Sequence, residues 1–101
     1  MIDIARREWE EGYAALEAAR DDRARYERLL WLVDVVLAEL RRRVGQTFTL
    51  AELARAYADA DHWAREAVAD AEPPRGWPRE LALVTGAAFY SYARGAIDYR
   101  P

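Results

Sequence analysis

The sequence predicts an all-α protein, a compact bundle of about four helices forming one domain over residues 1–101. Three observations predict it. Apolar residues recur at three- and four-residue spacing along almost the whole chain, and no segment alternates with the period of a strand. Hydrophobic residues make up 52% and charged residues 33%, the composition of a globular chain rather than a disordered one. Three of the four prolines fall in one short stretch, "EPPRGWP", leaving long uninterrupted runs for helices.

Taken in order, Ile2, Trp9, Leu16, Leu30, Leu37 and Val44 repeat at multiples of seven, interrupted only by Arg23. Ala5, Ala19, Tyr26, Val33 and Leu40 fill the companion position. A stripe held in phase for that long fits one continuous coiled-coil helix. The alternative is two helices broken at "ARDDRAR", with Asp21 or Asp22 capping the second. A domain this small favours the break, because its helices must fold back on one another to make a core. The second helix ends at "ELRRRVGQ": Arg41, Arg42 and Arg43 suit the negative end of the helix dipole, and Gly45 terminates it. Thr49 and Glu52 form a capping box that opens a third helix, which runs to about Ala71. The last helix starts at about Pro78, and "RELALVTGAAFYSYARGAI" is apolar nearly all round, which places it in the centre of the fold or in an interface.

"TLAELARAY" resembles the first helix of many helix-turn-helix domains. On a straight third helix the buried stripe is Leu50, Leu53, Tyr57, Ala60, Ala64, Val68 and Ala71, and Asp61 falls inside it. A break near residues 58–61 removes that cost by making Asp61 the N-cap of a second helix beginning at His62. Helix, short turn, helix is the shape a DNA reader needs. Its charge is wrong for that use: from Gln46 to Glu72 there are two arginines against six acids, a local charge of −4. Such a helix repels a duplex, and a net charge of −3 for the chain points the same way. DNA binding or a transcription-associated role through residues 49–71 is therefore the alternative function, and a nucleic-acid partner is disfavoured.

The chemistry-bearing residues are few. There is no cysteine, so no disulfide or thiolate site exists, and His62 is the sole histidine. His62 shares a polar face with Arg55, Asp59 and Glu66, but it has no second histidine and no HExxH pattern beside it, so the reading is a solvated salt-bridge face and no metal is expected. Ser91, Thr47, Thr49 and Thr85 lack a nucleophile elbow or a partner base, and no glycine-rich phosphate loop occurs. The expectation is a non-enzymatic protein without a cofactor. All fifteen basic residues are arginine, which suits a GC-rich genome. The opening "MIDIARREWEEG" has no apolar signal segment and no stretch reaches membrane-spanning length, so a cytoplasmic protein without a membrane partner is expected.

Surplus apolar surface points to protein contact. Trp31 and Val35 lie opposite the main stripe of the second helix. Either that helix is packed on both sides, or Trp31 is an exposed anchor of the kind enriched at interfaces. In the last helix Gly86, Ala87, Ala88, Gly95 and Ala96 alternate with Phe89, Tyr90 and Tyr92, with Tyr99 beyond, a pattern that packs a core or pairs with another chain. Asp34 is expected to pair with Arg41 or an arginine from another helix, and Arg94 with Asp98. The expected function is a small protein–protein interaction module, an adaptor, accessory subunit or self-associating unit, meeting a protein partner or a second copy through Trp31, Val35, Phe89, Tyr90 and Tyr92.

Overall fold

A computed structural model describes residues 2–69 and 77–96, without the side chains of 77–79. The end of the third predicted helix at Ala71, residues 72–76 of the "EPPRGWP" loop, Asp98 of the Arg94–Asp98 pair and Tyr99 lie outside the described residues. The described chain is all helical: α1 (Ile2–Ala18), a 3₁₀ turn (Ala19–Asp21), α2 (Arg23–Arg43), α3 (Leu50–Ala58), α4 (Ala60–Val68) and α5 (Trp77–Ala93). No strand occurs among the described residues.

The break favoured at "ARDDRAR" is present, and α1 and α2 are separate helices. The 3₁₀ turn closes with the Asp22 N–H donating to the Ala19 carbonyl, and the Asp22 side chain then caps α2 by accepting from the Arg25 backbone N–H at 3.2 Å. Three residues at the tighter 3₁₀ pitch, followed by the non-helical Asp22, change the phase of everything beyond. In α1 the predicted stripe holds, with Ala5, Trp9 and Leu16 buried. In α2 it slips by one position: Leu29, Leu32, Val33, Val36 and Leu40 are buried, while Leu37 and Val44 are half-buried and Leu30 is 38% exposed. The two helices do not pack along each other's length. Instead α5 lies against both, which is where its all-round apolarity is used.

The seam between α1 and α5 is close, and glycine makes it. A Cβ placed on Gly12 would stand 2.8 Å from the Leu83 carbonyl oxygen and 2.9 Å from both the Ala87 nitrogen and the Gly86 Cα. A Cβ on Gly86 would meet the Glu8 carbonyl oxygen at 2.9 Å. The obstacles are backbone atoms that cannot rotate away, so only glycine fits at either place. Beside this crossing, Phe89 stacks on Trp9 with ring centres 5.6 Å apart and meets Tyr57 at 5.0 Å and Trp63 at 6.0 Å. One aromatic cluster thus joins α1, α3, α4 and α5. On the far side, the Arg25 guanidinium pairs with Glu80 at 2.8 Å and ties α2 to the start of α5.

The α2–α3 connection follows its sequence closely. Gly45 takes φ +88°, the left-handed conformation that stops a helix. Phe48 is buried and stacks on Tyr92 at 4.9 Å, and the Tyr92 hydroxyl donates to the Gly45 carbonyl at 2.6 Å. The capping box is present in full: the Glu52 N–H donates to Thr49 Oγ1 and the Thr49 N–H to the Glu52 carboxylate, both at 3.2 Å. Arg42 and Arg43 both fold back onto Glu39, whose carboxyl the Arg42 hydrogen bond, followed by that of Arg43, holds below its usual range against the opposing effect of burial.

The break between α3 and α4 falls at a single residue, Asp59 (φ −100°, ψ 0°), and not at Asp61. Asp61 caps nothing; it sits in the first turn of α4, exposed, with Arg65 Nε 3.3 Å from its carboxylate. The change of phase at Asp59 turns Asp61 outward and brings Trp63 into the core beside Ala64 and Val68. A one-residue interruption is shorter than the three- or four-residue turn of a helix-turn-helix.

Candidate functional site

The five residues expected to meet a partner have different fates. Phe89 is completely buried at the centre of the aromatic cluster, so the expectation that it makes outside contact is corrected: its ring is consumed by Trp9, Tyr57 and Trp63. Tyr92 is half-buried, spent on Phe48 and the Gly45 carbonyl, and burial raises its phenol pKa above the ordinary value, against a smaller opposite effect from Arg41. Tyr90 is half-buried too, stacked on Tyr13 at 4.6 Å with the Arg94 guanidinium over its ring. Val35 is half-buried and packs against the edge of the core.

Trp31 is different. It is 53% exposed, and no aromatic or polar partner engages it among the described residues. The core-facing residues of α2 point away from it, so the packed-on-both-sides account of this helix does not hold. Leu30 stands next to it and Val35 one turn on, and a shallow hollow of about 470 Å³ lined by Arg20, Arg23, Tyr26, Glu27 and Leu30 adjoins the same stretch. Sequence reasoning assigned Leu30 and Tyr26 to the core stripe; Tyr26 stays half-buried against the core, whereas the phase change at Ala19–Asp21 turns Leu30 outward.

Around the apolar centre the face carries Arg28, Asp34 and Arg41, all exposed. Asp34 forms no ion pair among the described residues, contrary to the pairing with Arg41 expected from sequence. Seven residues along a helix is about 10 Å, beyond what a short aspartate closes with an arginine that extends elsewhere. The result is a small exposed apolar patch, Trp31 with Leu30, flanked by the exposed charges of Arg28 and Asp34. No family model, curated protein or solved structure matches the chain.

The other predicted chemistry is placed as follows. His62 lies on the outer face of α4, highly exposed, with Glu66 at 3.4 Å. No cluster of three metal-ligating side chains occurs among the described residues. The outer face of α4 shows Asp61, His62, Arg65 and Glu66, and its one arginine is engaged by Asp61. Among the described residues no helix is long and apolar enough to cross a membrane.

Proposed function

We propose that the chain is a small, non-enzymatic protein–protein interaction module, an adaptor or accessory subunit, and that it meets its partner through the outer face of α2 around Trp31. The observation that carries the reading is the exposure of that tryptophan on a helix whose opposite face is fully used by the core. A large ring left in water gains by burial against a partner, and tryptophan at the middle of such a patch is the residue type on which binding energy concentrates. The charged rim supplies selectivity and orientation. A second copy of the chain is one candidate partner and an unrelated protein another; both use the same face. The competing DNA-binding role finds no support in the acidic outer face of α4 or in the one-residue break before it.

The test compares wild type with Trp31→Ala in affinity capture from the native host, with and without nuclease, alongside light scattering of the purified chain to detect self-association. Because Trp31 adds little to the core, the variant folds with unchanged stability. Truncating a central anchor costs about 2 kcal/mol or more, so affinity for a discrete protein or for a second copy falls roughly thirtyfold. Binding that is indifferent to Trp31→Ala, or that vanishes with nuclease, refutes the reading.

A further inference from the structure

The two charges that flank Trp31 are placed symmetrically about it. Arg28 stands three residues before the tryptophan and Asp34 three residues after, and both are exposed without an ion-pair partner among the described residues. On helical geometry each lies about 4.5 Å from Trp31 along the axis and about 60° round it, on opposite flanks. The pair is therefore opposite in sign, equal in distance and diametrically placed across the ring. Neighbouring charges on α2 are already engaged: Glu27 with Arg23 at 3.2 Å, and Glu39 with both Arg42 and Arg43. Arg41 is about 15 Å further along, outside this set.

A surface of that kind is complementary to itself. A two-fold axis lying in the contact plane, through Trp31 and perpendicular to the line from Arg28 to Asp34, exchanges those two positions. Each copy's arginine then meets the other copy's aspartate, with the two Trp31 rings between them. The same axis passes close to Val35, one turn on and about 40° round towards the Arg28 flank, so this half-buried side chain meets its own counterpart. Glu27 falls near the axis on the other side, where Arg23 offsets its charge. Because the axis is inclined to α2, the two helices cross steeply, at roughly 70°. Side-by-side arrangements do not make the same pairs. Antiparallel neighbours leave Arg28 and the other copy's Asp34 on opposite flanks, and parallel neighbours leave them about 9 Å apart along the seam.

We propose that the partner of this face is a second copy of the chain, joined by a two-fold crossing of α2 on α2 with Trp31 at its centre and an Arg28–Asp34 ion pair on either side. The proposal rests on the reading of the Trp31 face as a protein-contact surface and narrows it to one occupant. The tryptophan rings supply affinity, and the ion pairs fix the crossing and its register. One helix crossing buries less than the roughly 1,200 Å² at which standard interfaces begin, so the dimer is weak and concentration-dependent.

Sedimentation equilibrium of the full chain, from about 1 μM to about 1 mM, tests it with Arg28→Glu, Asp34→Arg and the variant carrying both. Wild type passes from monomer to dimer across that range. Either single reversal sets two like-charged pairs in place of two opposite ones and weakens the dimer at least about tenfold. An equimolar mixture of the two single variants restores it, because in the mixed dimer both contacts are again between opposite charges. The variant with both reversals dimerises with itself and not with wild type. Circular dichroism and unfolding midpoints at low concentration stay unchanged, since both side chains are exposed. Wild type that remains monomeric at the top of the range, a dimer equally strong in the single variants, or a mixture that stays monomeric overturns the proposal. Those results leave the contact reading standing where capture of another protein still depends on Trp31. A dimer as tight in Trp31→Ala as in wild type overturns both.

Discussion

Replacing Gly12 with alanine sets two well-understood effects against each other. Gly12 is inside α1, where alanine favours the helix by about 1 kcal/mol over glycine. On an isolated helix the variant would therefore stabilise. In the folded protein the new Cβ meets the Leu83 carbonyl oxygen at 2.8 Å, and ordinary contact begins near 3.4 Å, so α1 and α5 must separate by about 0.6 Å. The blocking atoms belong to the α5 backbone, so no side-chain rotation relieves the clash. A radial gap of that size forfeits a quarter or more of each dispersion contact along the seam, and overpacking of this kind costs about 3 kcal/mol at its upper range. The net is a loss of about 2 kcal/mol, or a fall in midpoint temperature of roughly 10 °C for a domain of this length. Thermal and urea unfolding followed by far-ultraviolet circular dichroism measure it. Gly95→Ala is the control, since its nearest contact is an ordinary 3.5 Å, and it should stay within about 0.5 kcal/mol of wild type. Gly12→Ala and Gly86→Ala should also be strongly non-additive, because either one already opens the same seam. A neutral or stabilised Gly12→Ala would show that the two helices do not approach as described, and the packing argument built on them would fall.

Other expectations follow from single contacts. Thr49→Ala removes the hydroxyl half of the capping box and should cost about 1 kcal/mol in urea unfolding, with Thr49→Ser restoring most of it. Asp34→Asn should leave stability within about 0.5 kcal/mol of wild type, because the carboxylate is exposed and unpaired among the described residues. Tyr57 and Tyr92 both hold their phenolic protons more tightly folded than unfolded. Their contribution to stability is therefore complete below the ordinary phenol pKa of about 10 and is lost as pH rises above it, where the unfolded chain ionises first. Urea midpoints between pH 8 and 11 should fall through that window, and Tyr57→Phe should flatten the fall.

Much of the architecture is legible in the residues. The capping box, the glycine stop at Gly45 and the central placing of the last helix are local signals, and each appears where the sequence puts it. What a periodic reading misses is phase. Leu30, Leu37 and Val44 continue the α1 stripe in the sequence, but a three-residue 3₁₀ turn resets the count and hands the core of α2 to Leu29, Leu32 and Val36. The same error hides Trp63, which a straight helix leaves out of the buried stripe and the break at Asp59 turns inward. Gly12 carries no signal of its own either; its role exists only because Gly86 faces it from α5. The Tyr57–Glu8 hydrogen bond is beyond a periodic reading for the same reason, since its two partners come from helices far apart in sequence. Trp31 was readable as surplus apolar surface, but only the placing of the α2 core decides that it faces water.

The outer face of α2 is tested most directly by a photo-reactive phenylalanine analogue at position 31, irradiated in the native host, with the same analogue at Glu66 on the outer face of α4 as control. A discrete protein adduct at position 31, a second copy of the chain included, and none at position 66 is the predicted result. Equal labelling at the two positions, no adduct at 31, or an adduct to nucleic acid at 66 contradicts the account.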